Sequence, residues 1–293
     1  MEPIIKESGP LVVVVGETAS GKSALAMRLA ERFSGELISA DSWAVYESFD
    51  IGTAKPGAQD YSRVQHHLIS VVNPIEGFNA AVYKRLAARA IDDITARGNL
   101  PILVGGTGLY VDSVLYDYSF LPGSDPKMRV LLNAKDLNYL KSKILEAGID
   151  TTGIDMRNKR RLVRLLESGG SLPAKSELRD NTIILGIKTQ REELRERITR
   201  RVDRMFDEGL KNEVAGLQKE YGWDIEPMKG IGYREFFEYF NGTQTIEETK
   251  ARIISATLNL AKKQRTWFKR NKSIHWIDNW DEAVDLVTTF LNK

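Results

Sequence analysis

The sequence predicts an α/β protein, a parallel sheet flanked by helices with a small all-helical domain inserted, and three observations carry that prediction. An apolar run, Leu11–Val15, ends in a glycine-rich loop that opens into a helical pattern. Strand-like and helix-like segments then alternate, as βαβ units do. From about residue 119 to residue 179 helical periodicity persists with no convincing strand.

Leu11 and the four valines after it read as a strand buried on both faces of a parallel sheet. Lys22–Phe33 follows, with Leu25, Leu29 and Phe33 at four-residue spacing, the buried stripe of a helix packed on a sheet. Glu36–Ser39 reads as a second strand ending at Ala40 and Asp41, and Pro101–Val104 as a third ending at Gly105 and Gly106. Between them, Phe78–Arg97 carries Val82, Leu86, Ala90 and Ile94 at helical spacing, with Gly98 as its stop. Such alternation implies right-handed crossovers, which gather the binding loops at the carboxyl ends of the strands. Near Tyr116 the pattern changes: Leu121–Asp125 is turn-rich and Asp125–Gly170 is helical. The expected division is a core of residues 1–118 and 180–293 with an insertion at 119–179. Thr182–Lys188 resumes a strand, followed by a long helix over Gln190–Lys219, a glycine-containing turn at Lys229–Tyr233, a helix over Thr245–Asn271 and a last strand at Ser273–Ile277.

Composition narrows the functional classes. Apolar residues make up 42% and charged residues 28%, an ordinary globular balance. The 42 basic and 40 acidic side chains nearly cancel, so affinity for nucleic acid must come from local clusters. With no cysteine, disulfides, thiolate catalysis and Cys-ligated zinc are excluded. The segment Met1–Pro10 mixes charges and the apolar run behind it is too short for a leader or a membrane span, so a soluble cytoplasmic protein is expected.

The chemistry begins at Gly16-Glu17-Thr18-Ala19-Ser20-Gly21-Lys22-Ser23, which matches G-x-x-x-x-G-K-[ST] in the setting that pattern requires, after a buried strand and before a helix. Glycines let backbone N–H groups turn toward phosphate oxygens, the helix start adds positive potential, Lys22 supplies a full charge, and Ser23 is placed to ligate magnesium. These eight residues are the expected diphosphate or nucleotide site of a P-loop NTPase-like core. The third strand ends in Gly105-Gly106-Thr107-Gly108 in place of the aspartate that nucleotide hydrolases present there. A hydroxyl and backbone amides suit a departing phosphate. Asp41, at the end of the second strand, is a candidate general base looking into the same crevice.

Beyond the P-loop, several blocks resemble the tRNA dimethylallyltransferases: Ser39-Ala40-Asp41-Ser42 continuing to Val45-Tyr46, Asp50-Ile51-Gly52-Thr53-Ala54-Lys55-Pro56, His66-His67-Leu68-Ile69, Leu103-Val104-Gly105-Gly106-Thr107-Gly108-Leu109-Tyr110, Gly230-Ile231-Gly232-Tyr233-Arg234-Glu235 and Lys263-Gln264-Arg265-Thr266-Trp267-Phe268. The resemblance implies transfer of a dimethylallyl group from dimethylallyl diphosphate to the exocyclic N6 amine of the adenosine adjacent to the anticodon, in tRNAs reading codons that begin with U. It implies magnesium as cofactor, Asp41 as the base, and Thr107 and Arg234 as further catalytic residues at the leaving diphosphate. The tRNA-binding positions it implies are Asp41, Ser42, Trp43, Ala44, Thr107, Arg129, and the block Arg160, Arg161, Leu162, Val163 and Arg164.

The residues add their own reading of RNA contact. An anticodon base must be extruded before a pocket can reach it. Arg157, Lys159, Arg160, Arg161 and Arg164 cluster in the insertion, and Lys262, Arg265 and Lys269 share one face of the late helix, beside Trp267 and Phe268 as stacking options. Adjacent His66 and His67 lack metal-binding spacing and read as structural, and the tryptophans at 43, 223, 276 and 280 read as packing residues. Leu258 stands where the family pattern leads us to expect arginine, and the insertion between Asp125 and Arg161 reads as shorter than usual for the family. A small-molecule kinase using Asp41 on a hydroxyl, or a nucleotide-sensing RNA-binding protein, would share the P-loop alone. A monomer is expected.

Overall fold

The computed structural model describes residues 9–121 and 125–293; the leader reading of residues 1–8 and the middle of the 121–125 turn lie outside the described residues. The chain divides into two compact units, Met1–Leu115 with Leu178–Lys293, and Tyr116–Glu177. In chain order the larger unit holds β1 (Leu11–Val15), α1 (Lys22–Arg32), β2 (Gly35–Ala40), α2 (Ala58–Arg63), β3 (His66–His67), α3 (Ala80–Ala96), β4 (Leu100–Gly105) and α4 (Gly108–Leu115). The smaller unit holds α5 (Pro126–Asn133), α6 (Leu137–Glu146) and α7 (Lys159–Glu167). The larger then resumes with β5 (Thr182–Ile187), α8 (Arg191–Asp207), α9 (Leu210–Tyr221), α10 (Phe237–Phe240), α11 (Ile246–Phe268), β6 (Ile274–Ile277) and α12 (Trp280–Leu291).

The six strands lie in the order β3-β2-β4-β1-β5-β6, and every pairing is parallel. All five residues of β1 are fully buried, as a strand covered by helices on both faces requires. Register aligns Val15 of β1 and Ala40 of β2 with the same β4 residue, Gly105. The residues that follow, Gly16, Asp41 and Gly106, therefore leave the sheet side by side at its carboxyl edge. The connections that leave the adjacent strands β1 and β4 run in opposite directions along the sheet, to β2 and to β5, so the carboxyl ends of these strands are also the switch point at which open α/β sheets bind ligands.

Three local outcomes differ from the sequence reading. The long helix expected over Gln190–Lys219 is two helices, because Gly209 sits at φ 99° and breaks α8 from α9; that left-handed conformation suits glycine. The stripe of α1 is carried by Ala26, Met27, Leu29 and Ala30, while Leu25 and Phe33 pack only partly. Strand β3, two residues long, has no periodicity to detect. It is fixed by Glu36, whose buried carboxylate takes hydrogen bonds from Arg97 (3.2 and 2.7 Å) and Asn99 (2.7 Å) and pairs with His67 Nε2 at 2.6 Å. Burial alone would raise the Glu36 pKa, but these contacts outweigh it and hold it at about 2. His67 thus has a structural partner, and among the described residues no cluster of metal-ligating side chains forms.

In the smaller unit, Leu140, Ile144, Leu162, Val163 and Leu165 form a separate core. Its three helices are each capped by a side chain, Asp125, Asp136 or Asn158, accepting from a first-turn amide. Among the described residues no helix is long and apolar enough to cross a membrane.

Candidate active site

At the end of β1 the chain turns so tightly that a Cβ on Gly16 would lie 2.7 Å from Ser20 Oγ. Gly21, at φ 95°, then caps α1 without any side-chain hydrogen bond to the helix start. The first-turn amides of α1, beginning at Lys22 and Ser23, are left to an external acceptor, and the helix dipole favours an anion there. Lys22 bends back over the loop, its Nζ donating to the Glu17 carbonyl at 3.2 Å.

Two strands away, Asp41 is held by its own turn. Its Oδ1 accepts from the amides of Trp43 (2.9 Å) and Ala44 (3.3 Å). Between Asp41 and the P-loop stands the turn after β4. The amide of Thr107 donates to the Ala40 carbonyl at 3.1 Å, and its Oγ1 accepts from the Ser42 amide at 3.1 Å and donates to Ser42 Oγ at 3.3 Å. Thr107 thereby braces the turn that aims Asp41.

Asp41, Lys22, Ser23 and Arg201 line one cavity of about 340 Å³, with Met27, Leu37, Ile69 and Val104 supplying apolar wall. A second cavity of about 490 Å³ lies on the other flank of Lys22 and Ser23, walled by Arg197, Arg200, Arg201 and Arg204 of α8. Burial, then the neighbouring Arg201, pushes the Lys22 ammonium down to about 8, against the opposing pull of Asp41 and Glu17. Burial also lowers the Arg201 guanidinium, with Asp41 pulling it back up. Two partly buried cations lining one cavity are an arrangement that a polyanion relieves.

Arg201 is the residue the sequence reading missed. The spacing 197, 200–201, 204 puts its arginines on one helical face, yet nothing in α8 itself says that this face abuts the P-loop. Arg197 Nη1 reaches the Ser20 carbonyl at 3.1 Å, which fixes that face against the loop.

Several expected site residues sit elsewhere or are otherwise engaged. Arg234 does not line the cavity that Arg201 shares with Lys22; it is half exposed and pairs with Glu235 at 2.8 Å. The Glu17 carboxylate is buried against Arg265, 2.7 Å away, and the Thr18 amide donates to Gln264 Oε1 at 2.8 Å. Arg265 is correspondingly withdrawn from the expected basic face of α11, where Lys262 and Lys269 remain exposed. Trp267 is partly exposed and donates its indole N–H to Asp112 at 3.1 Å, whereas Phe268 is buried and offers no face for stacking. Leu162 and Val163 belong to the core of the helical unit, leaving only their backbone for any contact. Arg164 donates to the Leu121 carbonyl at 2.8 Å, and Arg129 makes a two-point pair (2.7 and 2.6 Å) with the buried Glu167 carboxylate. Arg160 and Arg161 are exposed. Ala44 is buried at the cavity wall, and Trp43 packs on Gly230 and Tyr46. Leu258 packs against the larger unit's core.

Residues 44–271 match the family described as IPP transferase. The chain belongs to that family. A tRNA dimethylallyltransferase of Bacillus licheniformis is 37% identical over 93% of this chain and 92% of its own length, and one of Pelotomaculum thermopropionicum is 39% identical over 92% and 90%. The crystal structure of the full-length tRNA isopentenylpyrophosphate transferase of Bacillus halodurans superposes with a TM-score of 0.74 at 35% identity, covering 97% of this chain and 95% of that one. A eukaryotic dimethylallyltransferase acting on tRNA superposes with a TM-score of 0.80 at 26% identity over 92% of this chain and 74% of its own. In this IPP transferase the span matched by the family begins at residue 44, after the P-loop and Asp41, while the likeness to the relatives extends over 92–97% of the chain.

Proposed function

We propose that this chain is a cytoplasmic, monomeric enzyme that transfers a dimethylallyl group from dimethylallyl diphosphate to the N6 amine of the adenosine adjacent to the anticodon in tRNAs reading codons that begin with U. The observation that carries the reading is the sharing of one cavity by a carboxylate, Asp41, and a desolvated cationic seat, Lys22 with Arg201. The donor's diphosphate lies on the first-turn amides of α1 and between Lys22 and Arg201. The acceptor is an extruded adenine whose amine is a weak nucleophile, its lone pair being delocalised into the ring. Asp41 Oδ2, the oxygen its turn does not use, accepts the proton from N6 as that nitrogen forms a bond to the allylic carbon. The carbon–oxygen bond to diphosphate breaks in the same step, and its electron pair leaves on the diphosphate. Allylic carbon tolerates positive charge, so stabilising the departing oxygen is the larger share of the work.

The hydroxyl of Ser23 is a hard oxygen donor beside the phosphate seat, and it fits magnesium together with diphosphate oxygens. Bound there, magnesium would neutralise charge on the leaving diphosphate.

Incubation with radiolabelled dimethylallyl diphosphate, magnesium and unmodified tRNA, followed by nuclease digestion, is expected to yield a prenylated adenosine. Label transferred to a free small acceptor, or hydrolysis of ATP without transfer, would overturn the reading.

In the helical unit RNA contact is assigned to Arg160 and Arg161, the two exposed arginines of the Arg160–Arg164 block. The double variant Arg160→Glu with Arg161→Glu is expected to weaken tRNA binding and to reduce the slope of log affinity against log salt by about 1.5, at roughly 0.7–0.9 per phosphate contact. Pyrophosphate binding measured in parallel stays unchanged.

A further inference from the structure

A single carboxamide on α11 holds two of the loops at the sheet edge. Gln264 Oε1 accepts from the amide of Thr18 in the P-loop at 2.8 Å, and its Nε2 donates to the carbonyl of Gly106, next to Thr107, at 3.1 Å. The fit is close enough that a Cβ at Gly106 would lie 2.3 Å from Nε2. Its neighbours on the helix reinforce the contact. Arg265 pairs with Glu17 at 2.7 Å and reaches the Thr189 carbonyl, beyond β5, at 3.3 Å. Trp267, bonded to Asp112, lies so near the backbone that a Cβ at Gly108 would come 2.4 Å from its ring.

One loop tied by Gln264 forms the anion seat. The other carries Thr107, which fixes the Asp41 turn through Ser42. We propose that Gln264 is a positioning residue: by bonding both loops it sets the separation between the diphosphate seat and the base, and so the distance between leaving group and nucleophile. The proposal rests on the function argued above. Both polar atoms of the Gln264 carboxamide are taken up by the two loops, so loss of the tie is expected to leave both binding steps intact and to lower the rate within the complex. Misplacing reacting atoms by about 1 Å costs up to about a hundredfold in rate.

The test compares wild-type protein with Gln264→Ala, Gly106→Ala and the double variant. Gly106 does not occupy the left-handed region, and the crowded atom is the free end of a flexible side chain, so Gly106→Ala displaces the amide while the fold is kept. Single-turnover prenyl transfer at saturating donor and tRNA is expected to fall by at least about tenfold in each single variant. Pyrophosphate and tRNA dissociation constants should stay within about threefold, and the double variant should be no slower than the worse single one. Gln264→Glu keeps an acceptor for Thr18 but loses the donor to Gly106, and should remain impaired. Wild-type rates in Gln264→Ala, full rescue by Gln264→Glu, or a loss of pyrophosphate affinity equal to the loss of rate would each overturn the proposal. A wild-type protein that transfers no prenyl group would instead defeat the function itself.

Discussion

Asp41→Asn is expected to lower the single-turnover rate of prenyl transfer by about two to four orders of magnitude, the range lost with a positioned general base. The substitution is chosen because the local structure tolerates it. Asp41 Oδ1 accepts from the amides of Trp43 and Ala44, and an asparagine oxygen takes the same two bonds. What changes is the other oxygen, replaced by an NH₂ group that donates where a proton must be accepted. The turn, the cavity wall at Ala44 and the bracing of Ser42 by Thr107 all persist, so tRNA and pyrophosphate should bind with affinities close to wild type. Rapid-quench measurement with both substrates saturating isolates the step. An Asn variant within about threefold of wild type would remove Asp41 as the proton acceptor. Thr107→Ala should be milder, because Thr107 acts on the base through Ser42.

The parts of the site readable from the sequence are those whose chemistry is local along the chain. Gly16–Ser23 carry their whole function in eight consecutive residues, and Asp41 and Thr107 follow directly on strands whose apolar composition is plain. Arg201 depends on a contact between α8 and a loop well over a hundred residues earlier, and helical spacing reports a shared face without reporting what that face meets. Arg265 illustrates the same point in reverse. On α11 alone it joins Lys262 and Lys269 as an exposed cation; the buried Glu17 that claims it is distant in sequence. Leu162 and Val163 lie within a block read as an RNA contact, but their helical phase turns them into the core of the smaller unit. Sheet order was implied only as parallel; β3 is too short to carry a pattern, and its place at the edge comes from the Glu36 network.

Lys22 and Arg201 together give the second large effect, with a pH signature that distinguishes them. Lys22 in the free protein titrates at about 8, depressed first by burial and then by Arg201. A bound diphosphate favours the charged ammonium, so the Lys22 pKa in the complex must lie higher. Binding below pH 8 meets a lysine already charged, whereas binding above pH 8 must take up a proton. The Lys22 contribution to pyrophosphate affinity, taken as the difference between wild type and Lys22→Met, should therefore be flat below pH 8 and weaken by up to about tenfold per pH unit above it, since a unit of pKa is about 1.4 kcal/mol. Calorimetry at pH 8 in buffers of different ionisation enthalpy should register uptake of about half a proton, the fraction of a group at its pKa that is uncharged. Arg201→Ala removes the like charge beside Lys22, which moves this break to higher pH and at the same time costs about a hundredfold to a thousandfold in transfer rate, as loss of one group stabilising a developing oxyanion does. Lys22→Met should abolish the break altogether while weakening binding at every pH. If the break survives in Lys22→Met, the titrating group is another one and the cationic seat has been misassigned.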